Sequence, residues 1–499
     1  MRLLEANQKG NLVMEINRFR IFNSLFWSYS ERIIAQLVSF TVSIILARLI
    51  APSEYGIISL VTIFITIANT FVTDGFGSAL IQKKDADELD FSSVFYFSIL
   101  VSLGLYIVIF IFSPVVASYF RISEITVVMR IMAFRIPLAA ANSIQRAFVS
   151  KRMEFRKFFF STFIGTFLSA VLGISLAFAG AGVWALVAQY LTNSLVDTVV
   201  LFFTSGWKPR IQFSIVRLKP LVSFGVKILL AALMVNIYTN LRNFIIGKRF
   251  SSKELAFSNK GEQFPNLITV NIHSSITSVI FSVLSQQQSN REVVLSMTRR
   301  AIKTGTFLLA PTLLGLAAVS DKVVEALLTE AWLPCVPYLQ IMCMVYLLQP
   351  IQTASLQAMK AMGEGRLYLK LEIIKKMVAL IILFISVCFF HSVMAIIIGA
   401  LISELLVTLI NVPANSYLFK YKASDQMKDV LFPLLAAHIM AVVVYFCDQN
   451  LKENYWIILE IIIGVFVYVG ISYVLKIDSL PYIYNILLRY VRRQKNNME

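Results

Sequence analysis

Charged residues are scarce in this chain of 499 residues: 15% are Asp, Glu, Lys or Arg, 58% are hydrophobic, and the mean hydropathy is +0.75. Soluble domains average about 25% charged residues, so the composition excludes a soluble globular protein and indicates an integral membrane protein. Histidine and cysteine are also scarce. The three histidines and four cysteines stand singly, without a CxxC pair, so neither a metal site nor a disulfide framework is predicted.

Recognisable catalytic motifs are lacking as well. The sequence contains no GxxxxGKS/T nucleotide-binding loop, no HExxH and no GxSxG. The formal net charge of +17 would suit nucleic acid, but the basic residues collect in short loops between apolar segments. We therefore expect a transporter rather than an enzyme, with no nucleic-acid partner and no cofactor. Residues 1–17 are too polar for a cleavable signal peptide.

Apolar segments of spanning length recur along the whole chain. About 20 residues cross a bilayer as a helix, and about 14 such segments are predicted. They lie near 22–50, 55–82, 91–120, 124–150, 155–180, 182–206, 215–247, 262–286, 299–320, 335–360, 364–389, 391–419, 427–447 and 454–476. The expected fold class is an all-α polytopic membrane protein. Basic residues concentrate in alternate loops and at both ends, which places both termini in the cytoplasm.

An internal repeat indicates two lobes of six helices each. RLIAPSEYG at 48–56 is echoed by KRFSSKELA at 248–256, and Pro137 in the fourth segment corresponds to Pro350 in the tenth. The predicted parts are a cytoplasmic segment at 1–21, an N-lobe at 22–206, a C-lobe at 207–419, two appended helices at 420–476 and a basic tail at 477–499. Such a pair of lobes places its substrate site between them and works by rocking.

The first segment, 22–50, carries charges at membrane depth. Glu31 and Arg32 lie within it, and at helical spacing Arg32 shares a polar side with Gln36 and Ser39. A polar stripe on a spanning helix cannot face lipid, so we expect this one to line a cavity. The alternative is that Glu31 and Arg32 snorkel to the water near the helix end.

Further polar groups lie in the second, seventh, eighth, ninth and eleventh segments. The residues expected to line or charge the cavity are Asn69, Asp74, Lys227, Asn236, Asn240, His273, Lys303, Glu372, Lys375 and Lys376. Glu372 can pair with either of the last two lysines, since residues three and four apart meet on a helix face. Snorkelling and helix packing are the structural alternatives for these groups. Asp197, Glu404, His438 and Glu460 are isolated, and packing or local hydrogen bonding is expected for them.

Basic groups outnumber acidic groups among the cavity candidates. Arg32, Lys227, Lys303, Lys375 and Lys376 stand against Glu31, Asp74 and Glu372. This excess suits an anionic substrate, and phosphate or pyrophosphate is the anion that Arg and Lys usually bind. The abundant Asn, Ser and Thr would suit a hydroxyl-rich sugar.

Several motifs follow one another in a characteristic order. They include FWSYSERI at 26–33, ARLIAPSEYG at 47–56, DGFGSALIQKKD at 74–85, QRAFVSKRMEFRK at 145–157, GVWALVAQ at 182–189 and LEIIKK at 371–376. In these motifs the chain resembles Wzx-type polysaccharide flippases of the multidrug/oligosaccharidyl-lipid/polysaccharide (MOP) exporter superfamily. The resemblance implies a bacterial inner-membrane protein that moves an undecaprenyl-pyrophosphate-linked oligosaccharide to the periplasmic leaflet. Lipopolysaccharide O-antigen, capsule or exopolysaccharide would be the product.

With this resemblance, the leading hypothesis is alternating access. Arg32, Lys227, Lys303 and Lys375 would hold the pyrophosphate, while Glu31, Asp74 or Glu372 would respond to a coupling H⁺ or Na⁺. Expected partners are the lipid-linked oligosaccharide, membrane lipid, and polysaccharide polymerase and chain-length proteins. The rivals are a MATE-like drug/cation antiporter, which the basic excess disfavours, and a flippase for the peptidoglycan lipid precursor. A pathway enzyme is disfavoured because every predicted outside loop is short.

Overall fold

The computed structural model describes residues 34–83, 85–286, 291–451, 453–485 and 488. These residues are almost entirely helical, and within those ranges no β-strand occurs. Ten of the described helices or helix pairs are long and apolar enough to cross a membrane. The all-α polytopic fold is therefore confirmed, whereas the number of 14 spans stays a prediction.

The described chain divides into two compact units, Met1–Ala256 and Phe257–Glu499. The helices of the first unit are α1 (Ile34–Leu49), α2 (Pro52–Thr73), α3 (Phe76–Gln82), α4 (Glu88–Phe120), α5 (Glu124–Met132), α6 (Arg135–Lys151), α7 (Arg156–Phe178), α8 (Val183–Thr204) and α9 (Ile215–Arg249). Helix α10 (Ser252–Gln286) begins at the end of this unit and continues into the second.

The second unit continues with α11 (Arg291–Ala318), α12 (Ser320–Leu327), a 3₁₀ turn (Glu330–Cys335), α13 (Val336–Leu347), α14 (Gln349–Ala361), α15 (Gly365–Phe389), α16 (Val393–Phe419), α17 (Ala423–Asn450), a second 3₁₀ turn (Asn454–Trp456) and α18 (Ile457–Val474). Most of the outward-facing side chains of the long helices are large and apolar, as a lipid-facing surface requires.

Two helices are interrupted just before Pro137 and Pro350, the prolines that correspond to each other in the sequence repeat. The chain interrupts its helix at Ala133 and Phe134, and α6 then carries Pro137 in its first turn. In the second unit, Leu348 separates α13 from α14, which carries Pro350 in its first turn. Proline is tolerated there because the first amides of a helix have no intrahelical acceptor. Each unit thus contains a broken helix next to a proline that the sequence repeat had matched with the proline in the other unit.

Helix α9, which was expected to open the C-lobe, packs within the first unit. The amide nitrogen of Asn236 donates to the Thr70 hydroxyl of α2 at 2.9 Å, and the rings of Phe64 and Phe244 meet edge to face at 6.2 Å. The unit boundary at Ala256 therefore differs from the predicted lobe boundary at 207. The lobe boundary describes a repeat rather than a compact body, and it stays a prediction.

Glycine permits a close backbone approach at the start of α2. A Cβ atom added to Gly56 would lie 1.9 Å from the carbonyl oxygen of Ser252, where α10 begins. No methyl group fits at that distance, and a backbone atom cannot move aside as a flexible side chain can. Gly56 ends the first copy of the repeat, RLIAPSEYG, and Ser252 lies within the second, KRFSSKELA, so the two copies are packed directly together.

We expect Gly56→Ala to lower the free energy of unfolding by about 1–3 kcal/mol, as overpacking a close contact usually does. Gly104→Ala is the matched control, because nothing lies within 4 Å of a Cβ atom at Gly104. The measurement is thermal unfolding of both purified variants in the same detergent. Equal melting temperatures for the two variants would contradict the close approach.

Helices α17 and α18, the pair expected at 420–476 as an appendage, are tied into the second unit. Helix α17 packs along α11, and the Tyr468 hydroxyl of α18 donates to the backbone oxygen of Phe307 at 3.0 Å. At one end the Lys322 ammonium of α12 lies 3.0 Å from a carboxylate oxygen of Asp448 and 2.5 Å from Glu460. Buried ion pairs of this kind hold their helices together, because removal of one partner leaves the other charge buried and uncompensated.

Candidate functional site

A polar cavity of about 360 Å³ lies inside the first unit, among the α2–α3 break, α6 and α8. Most of its lining is hydroxyl, amide or charged: Thr73, Ser78, Asn142, Ser143, Arg146, Ser150, Asn193, Ser194, Asp197 and Thr198. Such a lining is unusual in a bundle whose outer surface is apolar, because polar groups at membrane depth need polar partners. The cavity is suited to a ligand with many hydroxyl groups.

An ion pair with shared hydrogen bonds organises this cavity. The Arg146 guanidinium donates to the amide oxygen of Asn142 at 2.9 Å and to Asp197 and Thr162 at 3.2 Å each. The amide nitrogen of Asn142 donates to Asp197 at 2.9 Å, and the guanidinium also lies over the Phe158 ring. Asp197, expected to be isolated, therefore has partners on α6. Asn142 and Arg146 can both reach it because residues four apart lie on one helix face.

The second unit contains a buried charged group on α14, α15 and α16. The Lys375 side chain is only 4% exposed, and its ammonium lies 2.7 Å from a Glu372 carboxylate oxygen. The predicted pairing of Glu372 with a lysine is thus present, and Lys376 points to the exposed side of the helix. Glu404 of α16, also expected to be isolated, accepts a short hydrogen bond from Gln352 of α14 and lies within the electrostatic reach of both lysines.

Lys303 takes part in a different group of charges. Its ammonium lies 2.7 Å from Asp478 and 3.3 Å from Asp429, and Asp429 also receives two hydrogen bonds from Arg299. The positive charge of Lys303 is therefore largely compensated by carboxylates near the ends of α17 and α18. The predicted role of Lys303 in holding pyrophosphate stays a prediction.

The predicted amide and histidine residues differ in their hydrogen-bond partners. Asn240 donates to the backbone oxygen of Asn236 at 2.8 Å, while the side-chain oxygen of Asn69 is buried and has no hydrogen-bond partner among the described residues. His273 of α10 shares a 2.8 Å hydrogen bond with the Thr353 hydroxyl of α14. Asp74 ends α2 at the break before α3, where it is half-buried.

Some predicted positions fall outside the described structure. Glu31 and Arg32 precede the first described residue, and of Lys227 only its position in α9 is described. Gln36 lies two positions into α1 and is half-buried. Among the described residues, no group of three His, Cys, Asp or Glu side chains could hold a metal ion.

Sequence reasoning missed the Arg146–Asn142–Asp197 network and the Lys322–Asp448–Glu460 cluster. The spacing of Asn142 and Arg146 was a usable local signal. Their acidic partner lies more than 50 residues away, and no helical periodicity connects residues so far apart. His438, by contrast, bonds the Leu434 oxygen of its own helix at 2.8 Å, in line with the local role expected for it.

Known proteins share both sequence and fold with this chain. ExoT of Rhizobium meliloti, a succinoglycan biosynthesis transport protein, is 25% identical over 70% of this chain and 71% of its own length. WzxC of Escherichia coli, a lipopolysaccharide biosynthesis protein, is 23% identical over 77% of this chain and 78% of its own length. The curated relatives thus cover most of the chain.

Two solved structures that are similar to this chain are membrane transporters. The lipid II flippase MurJ in an inward closed conformation has a TM-score of 0.74 at 16% identity, covering 90% of this chain and 99% of its own. An inward-facing MATE multidrug transporter of the MOP superfamily has a TM-score of 0.58 at 17% identity. The match covers 78% of this chain and 96% of the transporter. A family model described as polysaccharide biosynthesis protein matches residues 45–337. This match covers more than half of the chain and, with the ten described apolar helices long enough to cross a membrane, shows that the chain is a multi-pass membrane protein belonging to the polysaccharide biosynthesis protein family.

Proposed function

We propose that this protein is a flippase that carries an undecaprenyl-pyrophosphate-linked oligosaccharide across the bacterial inner membrane by alternating access. Both termini then lie in the cytoplasm, and the product serves lipopolysaccharide, capsule or exopolysaccharide synthesis. Family membership supports the pathway, since relatives act in succinoglycan and lipopolysaccharide biosynthesis.

The observation that carries the proposal is the polar cavity of the first unit. A sugar cannot cross the hydrocarbon core unless its hydroxyl groups keep hydrogen-bond partners. The hydroxyl and amide groups of the cavity can both donate and accept hydrogen bonds, and the charged pair Arg146 and Asp197 lies among them. Arg–carboxylate pairs and amides are suited to neighbouring sugar hydroxyls. The guanidinium donates hydrogen bonds, the carboxylate accepts them, and an amide does both.

The basic candidates are proposed to bind the anionic part of the substrate. Lys375 is buried among Glu372 and Glu404, and with Arg32, Lys227 and Lys303 it is proposed to meet the pyrophosphate. Lys376 is proposed as an auxiliary cation. Glu31, Asp74 or Glu372 is proposed to take up a coupling H⁺ or Na⁺, and polymerase and chain-length proteins to receive the flipped product.

We expect Ser78→Phe to reduce surface polysaccharide by roughly tenfold or more, because overlap with a bound sugar costs more than about 1.4 kcal/mol. Ser78 lines the cavity and is half-buried, so the added ring would occupy the space proposed for substrate. The measurement is surface polysaccharide in the source bacterium after its own copy of the gene is deleted and the variant is supplied.

Ser78→Ala is the matched control, since it removes one hydroxyl and leaves the cavity open. It should retain most of the surface polysaccharide, and both variants should reach the membrane in equal amounts. Normal display by a folded Ser78→Phe protein would refute the cavity as a substrate site. Normal display by the deletion strain itself would refute the flippase function.

A further inference from the structure

Two adjoining cavities lie in the second unit, where α11, α17 and α18 have their neighbouring ends. Their volumes are about 280 Å³ and 290 Å³, and both are lined by Arg299, Lys303, Asp478 and Ser479. All three helices are among the candidate membrane spans, so the cavities lie near the end of the spanning region. We call them together the basic pocket.

The basic pocket contains more positive than negative charge. Five cations line it, Arg299, Arg300, Lys303, Lys428 and Lys476, against the two carboxylates of Asp429 and Asp478. Arg299 and Lys303 are the cations that those carboxylates bind directly. Three positive charges remain in excess.

The three remaining cations have no carboxylate within 4 Å among the described residues. The Arg300 guanidinium lies 4.5 Å from the centre of the Tyr482 ring, and the residue is exposed. Lys428 is in the second turn of α17, and Lys476 follows the last turn of α18 with a φ of 50°. The left-handed residue turns the chain at Lys476 and directs the following segment towards α11, where Asp478 pairs with Lys303.

Apolar side chains flank the same pocket. Phe432 and Leu475 line the second cavity and are exposed, and Leu431, Tyr473 and Val474 present further apolar surface nearby. The site therefore combines cations and hydroxyl donors, including Ser296 and Tyr482, with a surface for acyl chains. Basic pockets between spanning helices at the membrane face are the kind that bind anionic lipid headgroups.

We propose that the basic pocket binds the phosphate headgroup of an anionic glycerophospholipid, with Arg300, Lys428 and Lys476 as the residues that recognise it. Arg300 lines one cavity and the two lysines line the other, so a headgroup with two phosphates, such as that of cardiolipin, reaches both. The basic pocket shares no lining residue with the polar cavity of the first unit, but it includes Lys303, which is proposed above to meet the pyrophosphate.

The test is lipid binding by the purified full-length protein. Native mass spectrometry counts bound lipid after addition of cardiolipin, phosphatidylglycerol or phosphatidylcholine, and thermal unfolding is followed with the same lipids and with inorganic pyrophosphate. The wild type should bind and be stabilised by cardiolipin and phosphatidylglycerol in preference to phosphatidylcholine. The variant Arg300→Gln/Lys428→Gln/Lys476→Gln should bind them about a hundredfold more weakly, since each basic residue near the surface contributes severalfold.

The matched control is Lys208→Gln/Lys219→Gln/Lys370→Gln, which removes the same charge from three exposed lysines without carboxylate partners among the described residues. It should keep wild-type lipid binding. Equal loss in both variants, or unchanged binding in the pocket variant, would overturn the proposal. Equal stabilisation by inorganic pyrophosphate and by lipid would overturn the assignment to a phospholipid. Surface polysaccharide in the deletion strain tests the flippase function independently of these results.

Discussion

Lys375→Ala is expected to abolish surface polysaccharide while leaving the protein in the membrane. The Lys375 ammonium is the buried cation of a group that also contains Glu372, at 2.7 Å, and Glu404. Its removal leaves two carboxylates without their nearest buried cation, so the group would repel the phosphate that is proposed to bind there. Like charges brought together at a binding site cost several kcal/mol, which corresponds to a loss of affinity of roughly a hundredfold or more.

A double variant separates binding from simple structural pairing. If Lys375 only neutralises Glu372, then Lys375→Ala/Glu372→Ala removes both charges and should restore surface polysaccharide. If Lys375 holds the phosphate of the substrate, the double variant should be as inactive as the single one. We expect the second result, measured by surface polysaccharide at equal protein abundance.

Lys370→Ala is the control on the same helix, because Lys370 is exposed and has no carboxylate partner among the described residues. It should retain wild-type polysaccharide. Lys375→Arg keeps the charge and should retain part of the activity. Full activity of Lys375→Ala would remove this lysine from the substrate site.

Lys322→Met is expected to lower the free energy of unfolding by about 3–5 kcal/mol, because it strands two buried carboxylates. Glu460 is 0% exposed and Asp448 is 9% exposed, and the Lys322 ammonium contacts both, together with the backbone oxygens of Asp448 and Leu451. Thermal unfolding of the purified variant in detergent is the measurement.

The direction of the pKa shift of Lys322 agrees with the expected loss of stability. Burial alone would lower its pKa, but the carboxylates of Glu460 and Asp448 outweigh burial and raise the pKa above its usual range. A raised pKa in the folded state contributes stability below the ordinary lysine pKa, and that contribution is lost only as the pH rises through the folded value. The stabilisation is therefore fully present at neutral pH.

Asp321→Asn supplies the matched control on the same helix. Burial, and then the negative charge of Asp448, raise the pKa of the Asp321 carboxyl, so its ionised form opposes folding at neutral pH. Neutralising Asp321 should leave the melting temperature unchanged or slightly higher, while Lys322→Met lowers it. A melting temperature of Lys322→Met equal to that of Asp321→Asn would contradict the buried cluster.

The amino-acid sequence by itself determined the class of this protein and its local contacts. Runs of apolar residues determine membrane helices because hydrocarbon admits only backbones that satisfy their own hydrogen bonds. The pairing of Glu372 with a lysine three or four residues away followed from helical spacing, whereas only the structure shows that this lysine is Lys375. The correspondence of Pro137 with Pro350 followed from the repeat, and the helix breaks before them were seen only in the structure.

The tertiary structure alone decided the long-range partners of the buried charges. Arg146 meets Asp197, Lys322 meets Glu460, and Lys303 meets Asp478, each across 50 residues or more of chain. Helical periodicity tells which residues share a face but not which face of another helix lies opposite, because that depends on the packing of the whole bundle. For the same reason the polar cavity on α6 and α8 and the basic pocket at the end of α11 could be found only once the helices were packed together.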